Sequence, residues 1–309
     1  MESGGARKME RATKLADALR SKRLALTAEY VPPPGADGEV IRKHAASFPL
    51  ALDAVVIADN QEEISASPLA CSSILATQGI EPILTISTRD RNRIALQSDV
   101  LGAAMLGVVN VLCLSGDHQS LSASPEAASA FDIDSVQLVQ ALTAMRDEGV
   151  LLGGKPLLSR PPLFIGAVAH PYLRPLELAL IGLRKKVEAG AQFLLTQPVF
   201  DVDDFAEWMN VVREAGLHER THIIAGVRPL VSMEQAERLR TRPAATVIPD
   251  SLTTRLRESS DPALEGISAC ADIAARLKDI EGVRGIHVFS NGLDGAVAGV
   301  IQQAALSRS

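Results

Sequence analysis

Residues 81–118, EPILTISTRDRNRIALQSDVLGAAMLGVVNVLCLSGDH, set the pattern for the whole chain. Pro82–Ser87 is a short apolar run, and the polar cluster Thr88–Asn92 stops it. Ile94, Leu101, Met105 and Val108 recur at helical spacing, which predicts a helix with those residues on its inner face. Asn110–Leu114 is a second apolar run, halted by Ser115-Gly116-Asp117-His118. The stretch is therefore strand, loop, helix, strand, loop. Each strand ends in charge, Arg89 and Asp90 after the first and Asp117 after the second, and parallel α/β folds collect their chemistry at the C-terminal ends of strands.

Working outward, the same unit repeats. Strands are expected at Leu24–Tyr30, Leu52–Ala58, Leu163–Ala169, Ala191–Thr196, His222–Val227 and Gly285–Phe289, beside the two above. Helices are expected at Arg11–Ser21, Glu39–Phe48, Pro68–Gln78, Ile133–Glu148, along the Leu176/Leu180/Leu183/Val187 stripe, at Val202–Ala215, from Ser232 to Leu239, at Pro262–Lys278 and along Leu293/Val297/Val300/Ile301. The strands are continuous apolar runs, as expected when both faces are covered. Eight units in 309 residues predict a single-domain (β/α)8 barrel of the TIM type, with residues 1–22 as an N-terminal extension and first helix and 23–309 as the barrel. A doubly wound sheet is the alternative, but no G-x-G-x-x-G follows a strand and there is no P-loop. Residues 116–161 interrupt the pattern and read as a lid or binding loop; residues 241–260 read as a linker or second lid.

Composition narrows the function. The net charge of −6 and an aromatic content of 3% give no basic surface or stacking platform for nucleic acid. No apolar run approaches the ~18 residues of a membrane span, and no apolar segment follows residues 1–7 as in a signal peptide. Cys71, Cys113 and Cys270 lack metal spacing and are expected to be reduced core thiols of a cytoplasmic protein, so no metal site is expected.

The strand ends supply Glu29, Asp59, Arg89, Asp90, Asp117, His118, His170, Gln197, Arg228 and Ser290. Glu29 and Asp117 stand out because each sits in or against an apolar run, where a carboxylate costs several kcal/mol unless paired or put to use. Glu29 is followed at once by a proline-rich exit; its plain alternative is an ion pair to an interior arginine. Gln197, in T-Q-P, offers a donor and an acceptor to an amide-like ring edge.

The order and spacing of several pieces resemble the methylenetetrahydrofolate reductase family, in its short bacterial form with a catalytic barrel only. The pieces are T-A-E-Y-x-P-P at 27–33, L-T-I-S-T-R-D-R-N at 84–92, L-x-L-S-G-D at 112–117 and F-D-I-D-S-V-Q-L at 131–138. I-G-A-V-A-H-P at 165–171, K-K-V-E-A-G-A-Q-F-L-L-T-Q-P-V-F-D at 185–201, A-G-V-R-P at 225–229 and G-I-H-V-F at 285–289 continue it. The resemblance implies flavin-dependent reduction of 5,10-methylenetetrahydrofolate to 5-methyltetrahydrofolate in one-carbon metabolism and methionine biosynthesis. Glu29 then matches the general acid, Asp117 the aspartate beside flavin and folate, and Gln197 the residue orienting the pterin. Thr85, Arg89, Asp90, Arg91, Asp117 and His118 fall where the family binds its flavin, FAD with FMN as the alternative; arginine suits phosphate bidentately. NADH or NADPH is the implied donor, a tetrahydrofolate derivative the ligand, and a homo-oligomer the implied assembly.

Three positions depart from the family. Ala58-Asp59 stands where many members carry Thr-Tyr, Ile83 where many carry His, and Asn291-Gly292-Leu293 where an arginine helps bind the nicotinamide nucleotide. These departures leave room for an electron-donor subunit or another carrier. They also keep alive two other readings on the same barrel, a folate-dependent methyltransferase or demethylase without flavin and a noncatalytic partner-binding subunit.

Overall fold

The apolar runs become strands buried on both faces. The computed structural model describes residues 13–60, 63–122, 124–241, 247–290 and 295–306. Strands β1 (Ala25–Tyr30), β2 (Ala54–Ile57), β3 (Pro82–Ser87), β4 (Asn110–Leu114), β5 (Phe164–Ala169), β6 (Phe193–Pro198), β7 (His222–Val227) and β8 (Val283–Val288) pair in parallel, each with the next, and β8 returns to β1. This is the closed (β/α)8 barrel expected from the sequence.

Alternate residues of each strand serve two cores. Ala25, Val56, Ile83, Leu112, Phe164, Phe193, Leu195 and Ile224 fill the barrel interior. Phe164 and Phe193 stack at 5.3 Å there, and Gly166 makes room: a Cβ on it would lie 2.2 Å from the Phe193 ring. Leu26, Ile86, Val111, Ile165, Leu194, Ile223 and Ile286 face outward into the helices.

Helix α1 (Lys14–Arg20) closes the N-terminal end of the barrel, with Leu15 and Leu19 in the interior cluster. Its orphan amide groups are met from outside the helix. Glu81, just before β3, accepts from Lys14 N at 2.6 Å and Leu15 N at 3.1 Å, and from Asn110 Nδ2 at 2.9 Å. Glu81→Ala is expected to cost about 1–2 kcal/mol, as for loss of a helix cap plus a buried hydrogen bond. A urea titration checks it: the midpoint should fall at unchanged slope.

The helices are α2 (Gly38–Ala45), α3 (Pro68–Thr77), α4 (Arg93–Met105), α5 (Ser135–Asp147), α6 (Leu176–Glu188), α7 (Val202–Glu214), α8 (Leu217–Arg220), α9 (Met233–Arg240), α10 (Asp250–Glu258), α11 (Pro262–Leu277) and α12 (Ala296–Gln303). Asp201 and Ser232 cap α7 and α9 as their positions suggest.

Two expectations are corrected. The buried stripe of α4 is Leu96, Val100 and Ala103, while Ile94 and Met105 are exposed; two apolar rows share this helix, and the less prominent one meets the barrel. Residues 250–258 form a helix, α10, whose Leu252 and Leu256 pack against Leu230 and Leu239, within a segment expected as a linker or second lid. The long segment after β4 is tied to the β3 exit midway along its length: Ala130 N donates to Arg89 O at 2.7 Å and Phe131 N to Thr88 O at 3.2 Å. Positions 291–293 lie outside the described residues. The three cysteines are buried and free, and no described helix is long and apolar enough to cross a membrane.

Candidate active site

The parallel barrel brings Glu29, Gln197 and the loop carrying Asp117 to one end, the C-terminal mouth. Glu29 is 3% exposed, at the penultimate position of β1, and pairs in register with Val56. By strand alternation it follows the interior residues Ala25 and Thr27. It opens on a cavity of about 340 Å³ walled by Pro32, Pro33, Arg228, Gln235, Arg238 and Leu239. On its other side Tyr30, His44, Phe48 and Ser290 line a cavity of about 150 Å³. Gln197 is half-buried at the end of β6, where a register shift between Leu195 and Pro198 breaks the pairing with β7. Asp117 is exposed in the loop after β4, so it is solvated at the mouth and carries no burial cost.

A polar column centred on His287, a residue the sequence reading did not single out, rises inside the barrel beside Glu29. His287 is fully buried; its Nδ1 lies 3.0 Å from Thr27 Oγ1 and its ring meets Phe289 edge-on at 4.5 Å. Arg228 sits over the same Phe289 ring at 5.0 Å. Burial, and then the charge of Arg228, push the His287 pKa down to about 3, so this imidazole is neutral throughout the physiological range. The signal available in the sequence was a histidine inside the apolar run G-I-H-V-F. Thr85 also faces the interior, and its Oγ1 and the His287 Nε2 are buried without a hydrogen-bond partner.

The rim formed by β2, β3 and β4 is a network of ion pairs. Asp59, with its side chain 0% exposed, accepts from Arg91 Nη1 at 2.7 Å, Arg91 Nη2 at 3.2 Å and Ser87 N at 3.0 Å. Arg91 Nε reaches Asp99 on α4 at 3.1 Å. Arg89 grips Asp90 with Nε and Nη2, both at 2.8 Å, and donates to Asn60 O at 2.8 Å. Gly116, at φ +81°, lets the β4 exit lie against this network; a Cβ on it would fall 2.5 Å from Ser87 Oγ. His118 caps a short turn, accepting from Ser120 N at 3.2 Å.

Sequence comparison adds what geometry alone does not. The family model described as methylenetetrahydrofolate reductase matches residues 14–305. The chain belongs to the methylenetetrahydrofolate reductase family. A probable methylenetetrahydrofolate reductase (NADPH) of Caenorhabditis elegans is 22% identical over 256 residues, 80% of this chain and 36% of that protein. The 5,10-methylenetetrahydrofolate reductase of Salmonella typhimurium is 26% identical over 132 residues, 43% of this chain and 38% of that protein. The chain spans about a third of the length of these curated relatives. Among solved structures, an uncharacterized protein from Clostridium thermocellum that binds two copies of 5-methyl-5,6,7,8-tetrahydrofolic acid superposes with a TM-score of 0.66 at 15% identity. That match covers 94% of this chain and 99% of the other.

Membership makes the fate of the two arginines informative. The resemblance gave Arg89 and Arg91 to flavin phosphate or ribityl groups. In the folded chain both guanidiniums are committed to carboxylates. Drawing Arg91 to a phosphate would strand the buried Asp59, at a cost of several kcal/mol. As built, this rim is a clamp between strand ends and does not fit a flavin phosphate.

Proposed function

We propose that this chain reduces the methylene carbon of 5,10-methylenetetrahydrofolate to the methyl group of 5-methyltetrahydrofolate. The observation that carries the reading is Glu29, a carboxyl buried in β1 at the mouth of a barrel of this family and opening on a cavity of about 340 Å³. The resemblance implies a flavin as hydride carrier, FAD or FMN, with NADH or NADPH as its donor. The residues discussed next act on the folate, whatever delivers the hydride.

The five-membered ring of the substrate opens when N10 takes a proton as its bond to the methylene carbon breaks. Glu29 gives that proton, and the carbon remains on N5 as an iminium. Asp117, a carboxylate at the same mouth, steadies the cation as it forms. Gln197 donates to and accepts from the pterin edge, which fixes the ring face offered to hydride. The wall of Pro32, Pro33 and Leu239 excludes water from one side of the cavity.

Purified full-length protein, given methylenetetrahydrofolate and a reduced donor without oxygen, should form 5-methyltetrahydrofolate, read by mass spectrometry. Failure to form it, together with no calorimetric binding of 5-methyltetrahydrofolate, would remove the reading.

A further inference from the structure

Resting on that reading, we infer that the protein keeps no resident flavin and that hydride passes directly from a dihydronicotinamide to the folate. The charge arrangement at the mouth carries this. The guanidiniums of the β2–β4 rim all face carboxylates of the chain: Arg89 pairs with Asp90, Arg91 with Asp59 and Asp99, and Arg93 with Asp132 at 2.7 Å. Asp117 and Asp134 add further negative charge to this rim, and Glu63 lies between it and the cavity at Glu29. A flavin phosphate arriving there meets net repulsion and must break a bidentate pair to gain any donor. Lys186, on α6, turns its Nζ to Val168 O at 2.7 Å.

The open volume at Glu29 is walled by Arg228 and Arg238 on one side and reaches Asn60 and Glu63 of the β2 exit on the other. Glu29 has to reach N10, so the folate and its reductant must meet there. The step balances without a third redox group. The C4–H bond of the dihydronicotinamide breaks with both electrons, which form the new C–H bond of the methyl group. The nicotinamide leaves as the oxidised pyridinium, the iminium is reduced to the amine, and N10 keeps the proton from Glu29. NADH and NADPH appear in the names of relatives from Zea mays and Caenorhabditis elegans, so this reductant is familiar to the family.

The test uses the wild-type chain. It should purify without the visible absorbance of bound flavin, and titration with FAD or FMN should give no saturable quenching of flavin fluorescence. With NADH or NADPH alone it should form 5-methyltetrahydrofolate. Deuterium at the transferred C4 position should then appear fully in the methyl group, because no exchangeable carrier stands between the two. A reduced flavin holds its hydride at N5, where it exchanges with water, so passage through flavin would wash the label out. Copurified flavin, saturable flavin binding, or turnover that appears only after flavin is added would overturn the inference. So would binding of 5-methyltetrahydrofolate with no turnover from either nicotinamide, although the folate reading would stand. No folate binding at all would take away the reading beneath.

Discussion

Glu29→Gln is expected to leave a folded protein that binds 5-methyltetrahydrofolate as before and forms it from methylenetetrahydrofolate about 100-fold or more slowly. The change keeps the shape of the side chain and one hydrogen bond, so packing in β1 and the walls of both adjoining cavities stay as they are. What it removes is a transferable proton, and a positioned general acid contributes roughly 100- to 10,000-fold. The loss should fall on kcat, with the dissociation constant of the product folate held, because the proton moves only as N10 leaves. Calorimetric binding and steady-state rates separate the possible results. A mutant that also loses folate binding or its unfolding midpoint would make Glu29 a structural residue. Normal turnover would place the acid elsewhere, with Asp117 or a water held by it next in line.

The barrel and the position of Glu29 were legible because they depend on local facts. The apolar runs are short, rich in aliphatic residues and cut by charge, proline or a polar turn, and a strand buried on both faces needs little more. The face of α4 was not legible, because Ile94 and Met105 are as apolar as Leu96 and Val100. Only the neighbouring strand decides which row is covered. Helix α10 was passed over although Leu252 and Leu256 stand one turn apart, since its polar remainder reads as linker. Arg91 is the most instructive residue. Its planar guanidinium suits a bidentate anion, which the family resemblance took to be a flavin phosphate or ribityl group. The anion is Asp59, thirty-two residues earlier in the chain, and Asp59 had been noticed separately as a departure from the family. The two observations join only once β2 and β3 are neighbours, which places their ends side by side.

That pair yields the second large effect. Arg91→Ala is expected to destabilise the fold by about 3–5 kcal/mol, the range for removing one partner of a buried ion pair. Asp59, whose own side chain is unexposed, would keep the Ser87 amide as donor but lose both guanidinium bonds. Asp59→Ala should cost less, because Arg91 is 18% exposed and still has Asp99. Arg91→Lys should recover only part of the loss, since one ammonium cannot serve both carboxylate oxygens in the bidentate geometry. The double change Asp59→Ala with Arg91→Ala should cost less than the two single losses added together, the signature of a direct pair in a double-mutant cycle. Urea unfolding at constant slope measures all four proteins. Additive losses would mean that the two residues do not lean on each other. An Arg91→Ala protein with an unchanged midpoint would mean that the guanidinium is available to a ligand after all, and the phosphate role implied by the family resemblance would return with it.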